Sequence, residues 1–199
     1  EEYTVQSLKI GQWEVQVPII QGGMGVGVSL SGLAGAVARE GGIGVISTAQ
    51  IGFAEEGFER DQPAANLSAI RKHIARAKEI AGGNGLVGVN VMTALKHYAD
   101  HVREAAAAGA DVIICGAGLP TDLPALIQDP RKTKIAPIVS SARAAQLILK
   151  LWDHHYHRTA DFLVVEGPLA GGHLGFSREQ LEHLEEYDFD EELRKIMAC

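Results

Sequence analysis

Six short runs dominated by valine, isoleucine and other apolar residues punctuate the chain, at residues 17–20, 43–46, 86–91, 111–115, 135–139 and 161–165. They are largely unbroken rather than alternating, the pattern of strands buried on both faces of a parallel sheet. Their starts lie 26, 43, 25, 24 and 26 residues apart, enough for a strand, a turn, a helix and a return. The one long gap holds an insertion, residues 50–66, whose charges and proline predict a path over the surface. Ahead of the first run, residues 5–17 alternate apolar and polar positions and predict a small hairpin turning at Gly11-Gln12.

Helix patterns fill the intervals. Asn66 is placed to cap a helix whose apolar face is Leu67, Ile70, Ile74 and Ile80, ending at Gly82-Gly83. Thr93 precedes Leu95, Ala99, Val102 and Ala106, and Gly109 closes that helix. Ser140 or Ser141 opens one carrying Ala144, Ala145, Ile148, Leu151 and Trp152. Ser177 with Gln180 has the spacing of a capping box, Phe176 with Leu181 that of a hydrophobic staple, and Asp188 with Glu191 starts a final helix. Six β-α units in succession leave an open doubly wound sheet or a (β/α)8 TIM barrel. Scaling six units in 199 residues to eight gives about 265, close to the roughly 250 of a full barrel. The expectation is a single barrel domain over residues 1–199, with about six of eight βα units and strands seven and eight missing at the C-terminal end.

Composition narrows the class. A hydrophobic content of 46% excludes a disordered chain, and two cysteines, Cys115 and Cys199, are too few for a disulfide framework. With 25 acidic against 18 basic side chains the chain lacks the basic surplus of a nucleic-acid binder. No apolar run approaches the roughly 20 residues of a membrane span. These features predict a cytoplasmic protein that handles a small molecule, with a homo-oligomer left open.

Glycine is the outlier at 23 residues, and it gathers at strand ends. Gly22-Gly23-Met24-Gly25-Val26-Gly27 follows the first run. It does not form the dinucleotide fingerprint G-x-G-x-x-G, since the third positions on from Gly25 and Gly27 are Val28 and Leu30, and the second run ends in Ser47-Thr48 rather than an acid. Such a cluster lets a ligand approach the backbone, although a tight βα turn needs the same residues. Asn90 interrupts the apolar third run with an amide able to donate and accept at the edge of a heterocycle, or to serve as a turn residue. After the sixth run comes Glu166-Gly167-Pro168-Leu169-Ala170-Gly171-Gly172-His173-Leu174-Gly175. A histidine between glycine pairs, at the face where barrels place their active sites, suits proton transfer near neutral pH. Cys115 reads as a small buried residue rather than a nucleophile. His154, His155 and His157 read as a solvated helix end, and no metal is expected.

Taken together, PIIQGGMGVG, GVNVM, ADVIICGAG, APIVSS and VVEGPLAGGHLG resemble the flavin-dependent barrels that include the nitronate monooxygenases (2-nitropropane dioxygenases) and the flavin-type enoyl-acyl-carrier-protein reductases. The resemblance runs from about Pro18 to Gly175. It implies an FMN-binding barrel in which Gly22, Gly23 and Met24 border the flavin, and Asn90, Glu166, Gly171 and Gly172 contact it. His173 would then face the substrate as acid/base in nitronate oxidation. Glutamate at position 166 matches the reductase branch, which would add NAD(P)H as reductant, where monooxygenases commonly carry glutamine. Pro168-Leu169 replaces a more usual polar pair. The family's FMN phosphate sits at the glycine-rich ends of strands seven and eight, which leaves a non-catalytic, flavin-free fragment as the alternative of another class.

Overall fold

The computed structural model describes residues 5–199. The chain begins with the expected hairpin, β1 (Leu8–Ile10) and β2 (Trp13–Val15), with Ile10 opposite Trp13 across Gly11-Gln12. Gly11 adopts a φ of +58°, the left-handed conformation that suits such a tight turn. There follow α1 (Ser31–Arg39), β3 (Ile43–Ser47), α2 (Gln62–Ala81), β4 (Leu86–Met92), α3 (Tyr98–Ala107), β5 (Val112–Gly116) and α4 (Leu123–Leu126). The chain continues through β6 (Lys134–Val139), α5 (Ala142–Tyr156), β7 (Val164–Val165), α6 (Arg178–Glu182) and α7 (Phe189–Met197). Strands β3 to β7 form one parallel sheet in sequential order, with helices between them: a partial (β/α)8 barrel.

Strand parity divides the interior in two. Val87, Val89 and Val91 of β4, Ile113 and Cys115 of β5, and Ile135 and Val139 of β6 pack against the helices, with Ile74, Val102, Ile148 and Trp152. The alternate positions, Val45, Val112, Ile114 and Ala136, meet on the other side of the sheet, where Ile10 and Val15 of the hairpin join them. The hairpin therefore plugs the N-terminal end of the sheet, and Lys134, the first residue of β6, lies over the Trp13 ring with its Nζ 5.7 Å from the ring centre. Asp111 and Asp161 repeat one device there: each accepts the backbone N–H of the preceding strand, from Val87 and Ile135 at 2.9 and 2.8 Å.

The structure departs from these expectations in several places. The first predicted strand, 17–20, shrinks to a bridge between Ile20 and Ile43. Pro18 has no N–H to give a ladder, and beyond the bridge the Gln21 side chain replaces backbone pairing: its carboxamide accepts from Val45 N and donates to Val45 O, both at 3.0 Å. The helix expected from Asn66 starts earlier, at Gln62. Asp61 caps it by accepting from Ala64 N at 3.1 Å, Pro63 sits in its first turn, and Asn66 is instead buried with its Oδ1 on Gly52 N at 2.8 Å. Helix α1 had no counterpart among the predicted helices. The alternative between Ser140 and Ser141 resolves to Ser141, whose Oγ accepts from Ala144 N at 3.2 Å. The capping box of Ser177 and Gln180 is formed, as is the cap of Asp188 on Glu191 N. Asp61→Ala should lower stability by about 1 kcal/mol, the usual cost of losing an N-cap, read as a shift in the urea midpoint at unchanged slope.

Both cysteines are free, Cys115 buried and Cys199 exposed. Among the described residues no helix is long and apolar enough to cross a membrane.

Candidate active site

The parity that fills the concave side of the sheet with Val45, Ile114 and Ala136 continues to the C-terminal ends of the strands. The positions in phase there are Ser47, Asn90, Met92, Gly116, Ile138 and, one step beyond the last strands, Ser140 and Glu166. All of them line one cavity of about 1060 Å³, closed on its flanks by Gly23–Val26 and by the loop carrying Gly171, Gly172 and His173. Of the positions singled out in the sequence, Gly23, Met24, Asn90, Glu166, Gly171, Gly172 and His173 are brought together in this lining, and Gly22 lies outside it.

Each wall has a local reason. A Cβ on Gly23 would stand 2.5 Å from the Cβ of Asn90, so only glycine lets the first loop lie against that strand. Ser29, fully buried, pins the same loop: its hydroxyl accepts from Met24 N at 2.7 Å and donates to Met24 O at 3.0 Å. The main-chain oxygen of Asn90 takes two bonds from buried Thr48, from N at 3.1 Å and Oγ1 at 3.3 Å. Thr48 Oγ1 lies 3.1 Å from Nδ1 of His101, whose burial depresses its pKa and favours the neutral imidazole. With the threonine proton committed to Asn90, the His101 tautomer that fits carries its proton on Nδ1. The Asn90 carboxamide itself has no hydrogen bond among the described residues and faces the cavity with a donor and an acceptor available.

Glu166 accepts through Oε2 from Ser140 Oγ at 3.1 Å and from Gly175 N at 2.9 Å. Gly171 and Gly172 have nothing within 4 Å of where a Cβ would stand, and His173 is exposed beside them without a hydrogen bond among the described residues. Glu166 and His173 are the sole titratable groups in the lining, which contains no lysine or arginine. The remaining walls, Ala94, Leu119, Ile138, Ala144 and Leu174, are small or apolar.

Cys115 lies on the opposite face of β5, packed against the helices, and burial drives its thiol pKa well up, so it is no nucleophile. His154 and His155 are exposed in the last turn of α5, and His157 caps that helix. Its first turn is the end that borders the cavity, so the 15 residues of α5 separate the histidines from it by roughly 20 Å at 1.5 Å per residue. Reading the sequence did not find Ser29, Thr48 or His101. Their contribution passes through backbone groups of Met24 and Asn90, which no local motif announces.

The family model described as nitronate monooxygenase matches residues 6–194. Among solved structures, FabK from Thermotoga maritima is similar at 27% identity with a TM-score of 0.58, over 80% of this chain and 43% of that one. A mutant of FabK from the same organism gives 26% identity and a TM-score of 0.60, over 79% and 45%. The chain thus spans less than half the length of these structures. No curated protein matches it.

Proposed function

Because the chain belongs to the nitronate monooxygenase family, we propose that it forms part of a flavin-dependent oxidoreductase. FMN is the flavin, and small nitronate- or nitroalkane-type molecules are the substrates. The observation that carries this reading is the single cavity in which Gly23, Asn90, Glu166, Gly171, Gly172 and His173 meet.

The residues fit the ring system of such a cofactor. A volume of about 1060 Å³ lies just above the usual range for a ligand pocket, the walls are mostly apolar, and few polar groups converge on it. The unpaired carboxamide of Asn90 matches a heterocycle edge that both donates and accepts. The space around Gly171 and Gly172 leaves room for a planar group to approach the backbone. A bound flavin supplies the two-electron redox chemistry that side chains lack.

The chain's own residues do the rest. His173 takes the proton from the carbon bearing the nitro group, the general-base role that imidazole side chains most often fill. Asn90, held at its main-chain oxygen by Thr48, orients the ring edge. Leu119, Ile138 and Leu174 keep water from the reacting carbon. The second reading, enoyl-thioester reduction with NAD(P)H, is favoured by glutamate at position 166 and by the likeness to FabK.

Titrating the protein with FMN should quench flavin fluorescence saturably at one equivalent per chain. The loaded protein should then consume oxygen with a nitronate and without nicotinamide. Unquenched flavin would leave the flavin-free fragment as the correct description, while turnover that requires NAD(P)H and an enoyl thioester would select the second reading.

A further inference from the structure

The loop that carries His173 is joined to the sheet at one side chain. We propose that Glu166 is a positioning residue: its carboxylate is the tether that holds loop 167–175, and with it His173, at the cavity. The tether concerns the loop itself; only its catalytic consequence rests on the functional reading above.

Glu166 follows β7 directly, and the neighbouring strand β6 runs into Ser140. One oxygen, Oε2, accepts from both Ser140 Oγ at 3.1 Å and Gly175 N at 2.9 Å, so it links that neighbouring strand's exit to the far end of the loop. The return is closely fitted. A Cβ on Gly175 would lie 2.3 Å from Ser140 Oγ and 3.6 Å from Glu166 Oε2, so only glycine lets the backbone reach the carboxylate. Between these anchors the loop has little else. Gly171 and Gly172 stand in open space, and the other hydrogen bond formed within 167–175 among the described residues is Ala170 N to Gly167 O at 3.1 Å, internal to the loop. His173 sits two residues from the tethered amide, so freeing Gly175 frees the imidazole.

The geometry also says which property of Glu166 matters. Both partners donate to the same oxygen, and a glutamine Oε1 can accept both in the same way. An acceptor is required, and a negative charge is not. Hydrogen bonds to a charged acceptor contribute more than neutral ones, so glutamine should preserve most of the tether and alanine none of it.

The test is hydrogen–deuterium exchange of the flavin-free protein, read by mass spectrometry on peptides covering 167–176, with the His173 imidazole resonances followed by NMR. Glu166→Ala should speed exchange across the loop by about 10-fold or more and collapse the His173 signals toward those of a mobile side chain. Glu166→Gln should stay within about 3-fold of the native rate, and Ser140→Ala, which removes one of the two donors, should fall between. Ser140→Ala and Glu166→Gln decide the matter if the alanine variant at 166 does not fold. Native-like exchange in Glu166→Ala, native-like exchange in Ser140→Ala where the former is unfolded, or a Glu166→Gln loop as open as the alanine one would each overturn the proposal. Failure of the native protein to bind FMN would overturn the flavin reading and leave the exchange result standing.

Discussion

Gly44→Ala should be the most damaging single methyl group that can be added to this chain. A Cβ at Gly44 would lie 1.7 Å from the carbonyl oxygen of Ala34 and 2.5 Å from its carbon, so the clash is with backbone that cannot rotate away. Helix α1 has no free space to retreat into. On its other side a Cβ at Gly35 would meet the Ile80 Cβ at 2.7 Å and Ala77 O at 2.9 Å, so α1 is wedged between β3 and α2. Strand β3 is equally fixed, since all five of its residues are buried and it pairs with β4 in register. The cost should exceed the roughly 1–3 kcal/mol of ordinary overpacking, a large part of the 5–15 kcal/mol that holds a domain together. The thermal midpoint should drop by at least about 6–12 °C, given roughly 2–4 °C per kcal/mol at this size. Gly32→Ala is the matched control, with nothing within 4 Å of its Cβ in the same helix; it should be neutral or stabilising by up to about 1 kcal/mol. Equal midpoints for the two variants would mean that α1 does not pack as described.

That same crowding explains why α1 was illegible in the sequence. Its buried positions are Ala34, Gly35 and Ala38, so the stripe facing the core is built from the smallest residues and carries little apolar contrast. The parallel strands were legible because two-sided burial demands unbroken apolar runs, and the hairpin because half-exposure demands alternation. Where a side chain imitates backbone, local pattern misleads. Gln21 continues a ladder that no strand propensity predicts, and Asn66 has the composition of a cap but satisfies Gly52 N from inside a helix. Asn90, Glu166 and His173 were legible as candidates because each is a polar interruption at or just beyond an apolar strand end. What the sequence could not show is how Glu166 is used: its partners, Ser140 and Gly175, lie 26 and 9 residues away.

His173→Ala should lower kcat/KM on a neutral nitroalkane by about 10²- to 10⁴-fold, the span that a positioned general base contributes. FMN affinity should change by less than about 2-fold, because the imidazole makes no hydrogen bond to Asn90 or Glu166 and its removal leaves the rest of the cavity wall in place. The nature of the substrate sharpens the test. A nitroalkane must lose its α-proton in the active site, whereas a preformed nitronate arrives without it. The defect should therefore be far larger on the nitroalkane, and the ratio of the two defects isolates proton removal from binding. Imidazole added to the alanine variant should restore part of the nitroalkane rate, since His173 is exposed and Gly171 and Gly172 leave open space beside the vacated position. Equal losses on both substrates would make His173 a contact that holds substrate. An undiminished nitroalkane rate would remove it from the chemistry, and Glu166, the other titratable group in the lining, would become the base to test.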